Sequence, residues 1–145
     1  MSTVRDILAG KGTHIHSIEP GTTVLDAALL MNEHKIGSLL VMDGERMAGI
    51  LTERDILTRV VVERLDPSNT LVGEVMTTEV VCGRPYTRID EARGVMKNRR
   101  LRHLPIIDDD GVLLGLISIG DLNAYQANSQ EQTIYLLQEY ITGRV

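Results

Sequence analysis

The sequence has few of the residues that build disulfide frameworks, base-stacking platforms or membrane spans. Its 145 residues include no Trp, no Phe and one cysteine, Cys82. One cysteine excludes an internal disulfide and a multi-cysteine zinc site, and the lack of Trp and Phe leaves no aromatic platform for stacking bases. Because no apolar run approaches the ~18 uncharged residues of a spanning helix, we expect no membrane span.

The charge balance and the first residues narrow the class of protein further. The formal net charge of −5 at pH 7 argues against general nucleic-acid binding. Arg5 and Asp6 interrupt the apolar run that a signal peptide would need, so we expect a mature chain that starts here and a cytoplasmic protein. A chain of this length buries roughly two thirds of its unfolded surface, so we expect that folding requires no disulfide or metal.

Two parts of the sequence repeat each other at an offset of 65 to 68 residues. Gly49–Leu57 and Gly115–Asn123 both read Gly, two aliphatic residues, a hydroxyl residue, two variable residues, Asp and an aliphatic residue. Further matches are Pro20 with Pro85, Met31 with Met96, and Val4–Leu8 with Val72–Met76. We predict repeat 1 over residues 2–64, a linker over 65–71, repeat 2 over 72–127 and a C-terminal helical extension over 128–145.

Hydrophobic periodicity and turn signals predict the same β-α-β-β-α order in each repeat. The predicted elements of repeat 1 are strand 15–18, helix 22–35, strands 38–42 and 47–51, and helix 53–63. Those of repeat 2 are strand 80–82, helix 88–99, strands 103–107 and 112–117, and a helix from Ser118. Because one such unit leaves a sheet face uncovered, we expect an α/β fold (α+β type) with two units packed sheet to sheet about a pseudo-twofold axis. An apolar stripe over 131–141 predicts the C-terminal helix and a role for it in packing or dimerisation.

The paired Gly-x-x-Thr/Ser-x-x-Asp segments, the His103–Asp108 stretch and the tandem spacing resemble a tandem pair of CBS domains, the Bateman module, of the small stand-alone bacterial type. The resemblance covers residues 2–127. It implies a homodimeric regulatory module that binds AMP, ADP, ATP or NAD between the two copies, sometimes S-adenosylmethionine, and acts on an effector protein.

Asp55 and Asp121 are the first candidate ligand-binding residues. Each lies in the first turn of a predicted helix, where a carboxylate is favourable, and Thr52 or Ser118 precedes it as the helix cap. One interpretation is that these residues only cap helices. The other is that each Asp accepts hydrogen bonds from a ribose diol while the hydroxyl contacts ribose or phosphate.

A basic cluster supplies candidate phosphate ligands. Seven of the fifteen Lys and Arg residues lie between Arg84 and Arg102, a concentration that indicates an anion site in an acidic protein. Arg102 and His103 lie at a strand start where, by the resemblance, basic residues reach phosphates, and Arg54 is a third candidate. We interpret Arg88, Arg93 and Lys97 as a solvated helix face.

The resemblance also implies two clefts of unequal charge, each made from the helix start of one copy and the strands of the other. The first would combine Thr52 and Asp55 with Val80, Val81, Cys82, Leu101, Arg102, His103 and Pro105. The second would combine Ser118 and Asp121 with His16, Ile18, Ile36, Gly37 and Ser38. Gly37 and Ser38 match Arg102 and His103 at offset 65 but carry no charge, so we expect phosphorylated nucleotide in the Asp55 cleft first.

Two other classes of function remain open. One is an enzyme that hydrolyses nucleotides with Asp55 or Asp121, although no nucleophile–base pair or Walker-type loop can be assembled. The other is an interaction scaffold with degenerate sites. We interpret Cys82 as a buried apolar residue, 108–111 as a hairpin turn rather than a calcium loop, and His14 and His16 as too few ligands for a metal.

Overall fold

The computed structural model describes residues 2–10 and 15–127. The elements run α1 (Val4–Gly10), β1 (Ser17–Ile18), α2 (Val24–His34), β2 (Ser38–Asp43), β3 (Arg46–Thr52), α3 (Glu53–Ile56), a π-helical segment (Leu57–Val61), α4 (Val72–Val75), α5 (Ile89–Arg99), β4 (His103–Ile107), β5 (Leu113–Ser118) and α6 (Ile119–Ala127). The predicted mixed α/β class is confirmed. The predicted C-terminal helix and His14 lie outside the described residues.

The described residues form two compact units that cross the predicted repeat boundary. The first-repeat unit comprises residues 15–81 and 108–113, and the second-repeat unit comprises residues 2–10, 82–107 and 114–127. Helix α1, which lies in predicted repeat 1, therefore belongs to the second-repeat unit, and α4, which lies in predicted repeat 2, belongs to the first-repeat unit. Each of the two matching segments, Val4–Leu8 and Val72–Met76, therefore lies in the unit formed mainly by the other repeat.

The first-repeat unit is built on a three-stranded sheet with the order β1-β2-β3. Strand β1 pairs parallel to β2, with Ile18 opposite Val41, and β2 pairs antiparallel to β3, with Ser38 opposite Thr52. One face of α2 packs on this sheet. The core residues are Val24, Ala27, Met31, Leu39, Val41, Leu51, Val60, Val72 and Val75.

The predicted linker is ordered against the start of α2. The amides of Val24 and Leu25 donate to the carbonyls of Thr70 and Pro67 at 2.8 and 3.0 Å. These bonds satisfy two of the amides that every helix start leaves without an intrahelical acceptor. Asp66 holds the loop itself, because its carboxylate accepts from the Ser68 amide and hydroxyl and from the Asn69 side chain.

The second-repeat unit contains the two-stranded sheet β4-β5. The prediction of a strand over 80–82 is wrong, because these residues form no strand in the structure. The pairing next to them is a single parallel bridge between Gly83 and Ile106. Gly83 donates to the Pro105 carbonyl at 2.8 Å and accepts from the Ile107 amide at 3.0 Å. Pro85 lies two positions further on and has no amide to extend the ladder. The bridge matches the Ile18–Val41 pair of repeat 1 at offset 65.

The helix predicted over 53–63 differs from the structure. It is α-helical only over Glu53–Ile56 and continues as the π-helical segment to Val61. The Thr58 hydroxyl donates to the Arg54 carbonyl at 2.8 Å, which is the acceptor that an α-helix would give to the Thr58 amide. The following β-branched residues 60–62 also disfavour a continued α-helix.

Each unit has a motif glycine that lets a short helix approach its sheet. A Cβ on Gly49 would lie 2.5 Å from the Thr77 carbonyl oxygen and 2.9 Å from the Met76 sulfur. A Cβ on Gly115 would collide with the Leu8 side chain at the end of α1. Leu8 and Met76 are matching residues at offset 68. The first residue of the repeated motif is therefore explained by packing.

Candidate functional site

The Asp55 carboxylate is the most enclosed acidic group of the first-repeat unit, with 7% of the residue exposed. Its Oδ2 accepts from the Thr52 amide at 3.0 Å, and the Thr52 hydroxyl accepts from the Asp55 amide at 3.0 Å. The Thr77 hydroxyl lies 3.1 Å from Oδ1, and Arg59 Nε lies 3.9 Å from the same oxygen. A carboxylate offers about four acceptor positions, so part of this capacity is already used.

Asp121 repeats the first half of this arrangement in the second-repeat unit. The Ser118 amide donates to Asp121 Oδ2 at 2.8 Å, and the Asp121 amide donates to the Ser118 hydroxyl at 3.0 Å. The residues that match Thr77 and Arg59 by offset are Ala9 and Tyr125, and neither carries the same group. The Tyr125 hydroxyl instead lies 2.9 Å from the Ser2 hydroxyl. The two Asp residues therefore share a helix-start geometry but differ in their side-chain surroundings.

The strand starts of the two repeats also match. In the first-repeat unit the Gly37 carbonyl accepts from the Glu53 amide at 2.9 Å. In the second-repeat unit the Arg102 carbonyl accepts from the Ile119 amide at 3.0 Å. Each strand start is thus fastened to the helix start of its own unit, next to Thr52 in one and Ser118 in the other. The predicted combinations across the two copies stay predictions.

The remaining predicted site residues divide between the two units. Exposed in the structure are Gly37, Arg54, Arg102 and His103, whereas Pro105 is buried. Half-buried are His16, Ile18, Ile36, Ser38, Val80 and Val81 of the first-repeat unit and Cys82 and Leu101 of the second. His16 stacks on His34 with the ring centroids 4.0 Å apart. Stacked imidazoles present their faces to each other, which differs from the arrangement of two ligands converging on one metal.

Two side chains that lie beside Asp55 were not predicted from the sequence. Arg59 follows Asp55 by four positions, a spacing that brings side chains together on a helix, so a signal was present. Arg59 also donates from Nη1 to the carbonyls of Val75 and Met76, both at 3.2 Å. Thr77 is 22 positions away and matches Ala9 rather than a hydroxyl residue, so neither local spacing nor the repeat pattern indicates it.

One residue of the predicted solvated helix face is placed differently. Arg88 and Lys97 are exposed, but Arg93 is half-buried on α5. Its Nη1 donates to the Asn123 side-chain oxygen on α6 at 3.0 Å. Within the described residues its Nε and Nη2 are buried without an acceptor. Packing of α5 on α6, rather than solvation, therefore fixes this guanidinium.

Within the described residues, the structure supports neither a metal site nor a cysteine nucleophile. Among the described residues no three His, Cys, Asp or Glu side chains come together. Burial raises the pKa of the Cys82 thiol, and nearby Arg84 opposes this only in part. A raised pKa lowers the fraction of nucleophilic thiolate at neutral pH. In the same described residues, every helix is too short or too polar to cross a membrane.

Comparison with known proteins identifies the family. The CBS domain matches residues 3–62 and 72–128. The CBS domain-containing protein YhcV of Bacillus subtilis is 35% identical over 130 residues, which are 90% of this chain and 89% of that protein. A solved CBS-domain protein from Burkholderia ambifaria MC40-6 is 43% identical with a TM-score of 0.75, covering 89% of this chain and 97% of the other.

A second solved structure is CBSX2 in complex with AMP, with a TM-score of 0.71 and 26% identity. The match covers 86% of this chain and 96% of that chain. Both halves of the sequence match the CBS domain. Both halves also share the geometry of the helix start and of the strand start. The chain therefore belongs to the CBS domain family and carries two such domains in tandem.

Proposed function

We propose that the chain is a regulatory module that binds an adenine nucleotide (AMP, ADP, ATP or NAD) and acts on an effector protein through a ligand-dependent conformational change. It requires no cofactor and catalyses no reaction in this proposal. A ligand changes the equilibrium between two conformations only by the difference in its affinity for them.

The observation that carries the proposal is the hydroxyl–carboxylate pair that both units build in the same way. Thr52 with Asp55 and Ser118 with Asp121 each place an acceptor carboxylate beside a hydroxyl at a helix start. A carboxylate with spare acceptor capacity suits a ribose diol, which offers two hydroxyl donors. The family relation to CBSX2, which was solved with AMP, supports an adenosine ligand.

The proposed roles follow the chemistry of each group. Asp55 and Asp121 accept from ribose hydroxyls, and Arg102 and His103 donate to phosphate. Arg102 is exposed and its guanidinium is unoccupied by any ion pair among the described residues. Arg54 is a third exposed donor. The half-buried apolar residues Val80, Val81 and Leu101 supply contacts for the base.

The test is isothermal titration calorimetry of the full chain with AMP, ATP and NAD. A charge-assisted hydrogen bond contributes about 1.5–3 kcal/mol, so Asp55→Asn and Arg102→Gln should each weaken AMP binding by about tenfold or more. Arg99→Gln removes another exposed positive charge, at the end of α5, and should leave the affinity unchanged. Equal losses from Asp55→Asn and Asp121→Asn, with none from Arg102→Gln, would contradict the predicted inequality of the two sites.

Two other functions give different results in the same preparation. Turnover of ATP or NAD that Asp55→Asn or Asp121→Asn abolishes would establish a hydrolase instead. No heat of binding, together with no rise in melting temperature at millimolar AMP, ATP or NAD, would indicate a scaffold. The proposed module requires the melting temperature to rise with ligand as RT ln(1 + [L]/Kd).

A further inference from the structure

We propose that Glu53 makes the start of β2, at Gly37, select against anionic ligands. The start of β2 then accepts a neutral or cationic adenosine ligand, whereas the start of β4, at Arg102, accepts a phosphorylated one. This inference rests on the proposed adenosine-binding function and names the ligand class of each half. Glu53 acts as a specificity-determining residue.

The first observation is where the Glu53 carboxylate lies. A Cβ built on Gly37 would be 3.2 Å from Glu53 Cδ and 3.2 Å from Oε1. The side chain therefore lies over the strand start to which its own amide is bonded. Glu53 is exposed, and it forms no ion pair within the described part of the chain. Its charge is not neutralised by a neighbour there.

The second observation is the opposite charge at the matching place. In repeat 2 the residue at the strand start is Arg102, and the Ile119 amide donates a hydrogen bond to the Arg102 carbonyl. Gly37 with Glu53 thus carries one negative charge, and Arg102 with Ile119 carries one positive charge. The lack of a side chain at Gly37 also leaves room for the Glu53 carboxylate, because any side chain at position 37 would contact that carboxylate.

The size of the effect follows from Coulomb's law. At about 6 Å and an effective dielectric constant of about 40, one carboxylate weakens the binding of one phosphate charge by about tenfold. Both groups are at the surface, so added salt should reduce the effect. An uncharged adenosine should be almost unaffected, and a cationic sulfonium ligand should gain from the same carboxylate.

The experiment uses amide NMR of the labelled full chain with pyrophosphate, AMP and adenosine as separate probes at low salt. In the wild type, pyrophosphate should shift the Arg102 amide and leave the Gly37 amide in place. Glu53→Gln should give the Gly37 amide a response to pyrophosphate and AMP at least about tenfold stronger, with adenosine unchanged. Raising the salt to about 1 M should remove most of the difference.

Glu63→Gln is the matched control, because it changes the net charge equally at an exposed position of the same unit. The proposal is overturned if Glu63→Gln has the same effect, if Gly37 and Arg102 respond equally in the wild type, or if Glu53→Gln leaves Gly37 unresponsive to pyrophosphate. The pyrophosphate arm contains no adenosine. If neither AMP nor adenosine perturbs the wild type, the proposed function fails while this arm still decides the role of Glu53.

Discussion

The Asp55 carboxylate combines a structural role with the proposed role in ligand binding. It closes the start of α3 with Thr52, and it also accepts from Thr77 just beyond α4. Arg59 extends the same network, since it reaches both Asp55 and the carbonyls at the end of α4. A ribose that donates hydrogen bonds to Asp55 must therefore compete with the Thr77 hydroxyl or use the remaining acceptor positions of the carboxylate. In the proposed function, this competition couples ligand binding to the segment after α4.

Thr77→Val should lower the free energy of unfolding by about 1–2 kcal/mol, because it leaves a buried carboxylate short of one donor. Urea denaturation at neutral pH measures this change. Thr78→Val is the matched control at an exposed neighbouring position, and it should remain within about 0.5 kcal/mol of the wild type. Equal effects of the two substitutions would show that the Thr77 hydroxyl contributes nothing through Asp55.

Asp66 should make stability depend on pH in the acid range. The Ser68 hydroxyl, followed by the Ser68 amide, holds the pKa of Asp66 below its ordinary value. A carboxyl group whose pKa is lower in the folded state stabilises the fold above its unfolded pKa of about 4 and loses that contribution as the pH falls through the folded pKa. Asp66→Asn should therefore destabilise the fold at pH 6, and its difference from the wild type should shrink as the pH falls below about 4.

Chemical denaturation across this pH range checks the Asp66 prediction. Asp110→Asn is the control, because its side chain is exposed in a turn where its amide, not its carboxylate, makes the hydrogen bond. A constant difference between wild type and Asp66→Asn from pH 6 to pH 2 would contradict the assigned role of the charge.

At the level of elements, the motif glycines determine which helices can approach the sheets. Gly49→Ala should destabilise the chain by about 1–3 kcal/mol, since its Cβ would meet the backbone oxygen of Thr77, which cannot move aside as the flexible Met76 side chain can. Gly94→Ala, in the middle of α5 with open space around its Cβ, should instead stabilise by about 0.5–1 kcal/mol. Thermal or urea unfolding of both variants is the measurement. A Gly49→Ala variant that is as stable as the wild type would contradict the requirement for a glycine where the segment after α4 approaches β3.

Most elements could be predicted because their signals are local. Lys35 and Arg100, 65 positions apart, both end a helix in the left-handed conformation, and the apolar periodicity before each indicates where the helix runs. The short helices α1 and α4 were not predicted as helices, since each is held by contacts outside its own sequence. The Val4 amide, for example, donates to the Thr87 carbonyl at 2.9 Å.

The candidate site was predictable to a similar extent. The repeated motif predicted that Thr52 and Ser118 cap the helices that carry Asp55 and Asp121, and the hydrogen bonds show these caps. Ligand binding by these residues stays a prediction. The motif could not indicate Thr77, whose partner depends on tertiary folding, or the side-chain direction of Glu53. The strand over 80–82 was predicted from its apolar residues, but Pro85 and the single bridge at Gly83 limit the pairing there.

At the scale of the whole molecule, association of two chains is still to be tested. We expect a homodimer, because the family resemblance implies one and closed twofold symmetry is the commonest form of self-association. Sedimentation velocity at micromolar concentration should show a dimer, and truncation after Ala127 should weaken it or lower its stability. A monomeric full chain, or a truncated chain with unchanged association and stability, would contradict the expectation for residues 131–141.

The exchange of short helices between repeats has a consequence for synthesis on the ribosome. Helix α1 belongs to the unit that contains residues 82–107 and 114–127, and Ser2 reaches Tyr125 across 123 positions. At about 5–20 residues per second, roughly 6–25 seconds separate the emergence of these partners. The first-repeat unit likewise needs residues 108–113 before it is complete. Helix α1 must therefore stay without its partners until residues 82–127 have been made. Slow translation would prolong the interval in which a chaperone or a second nascent chain can bind α1.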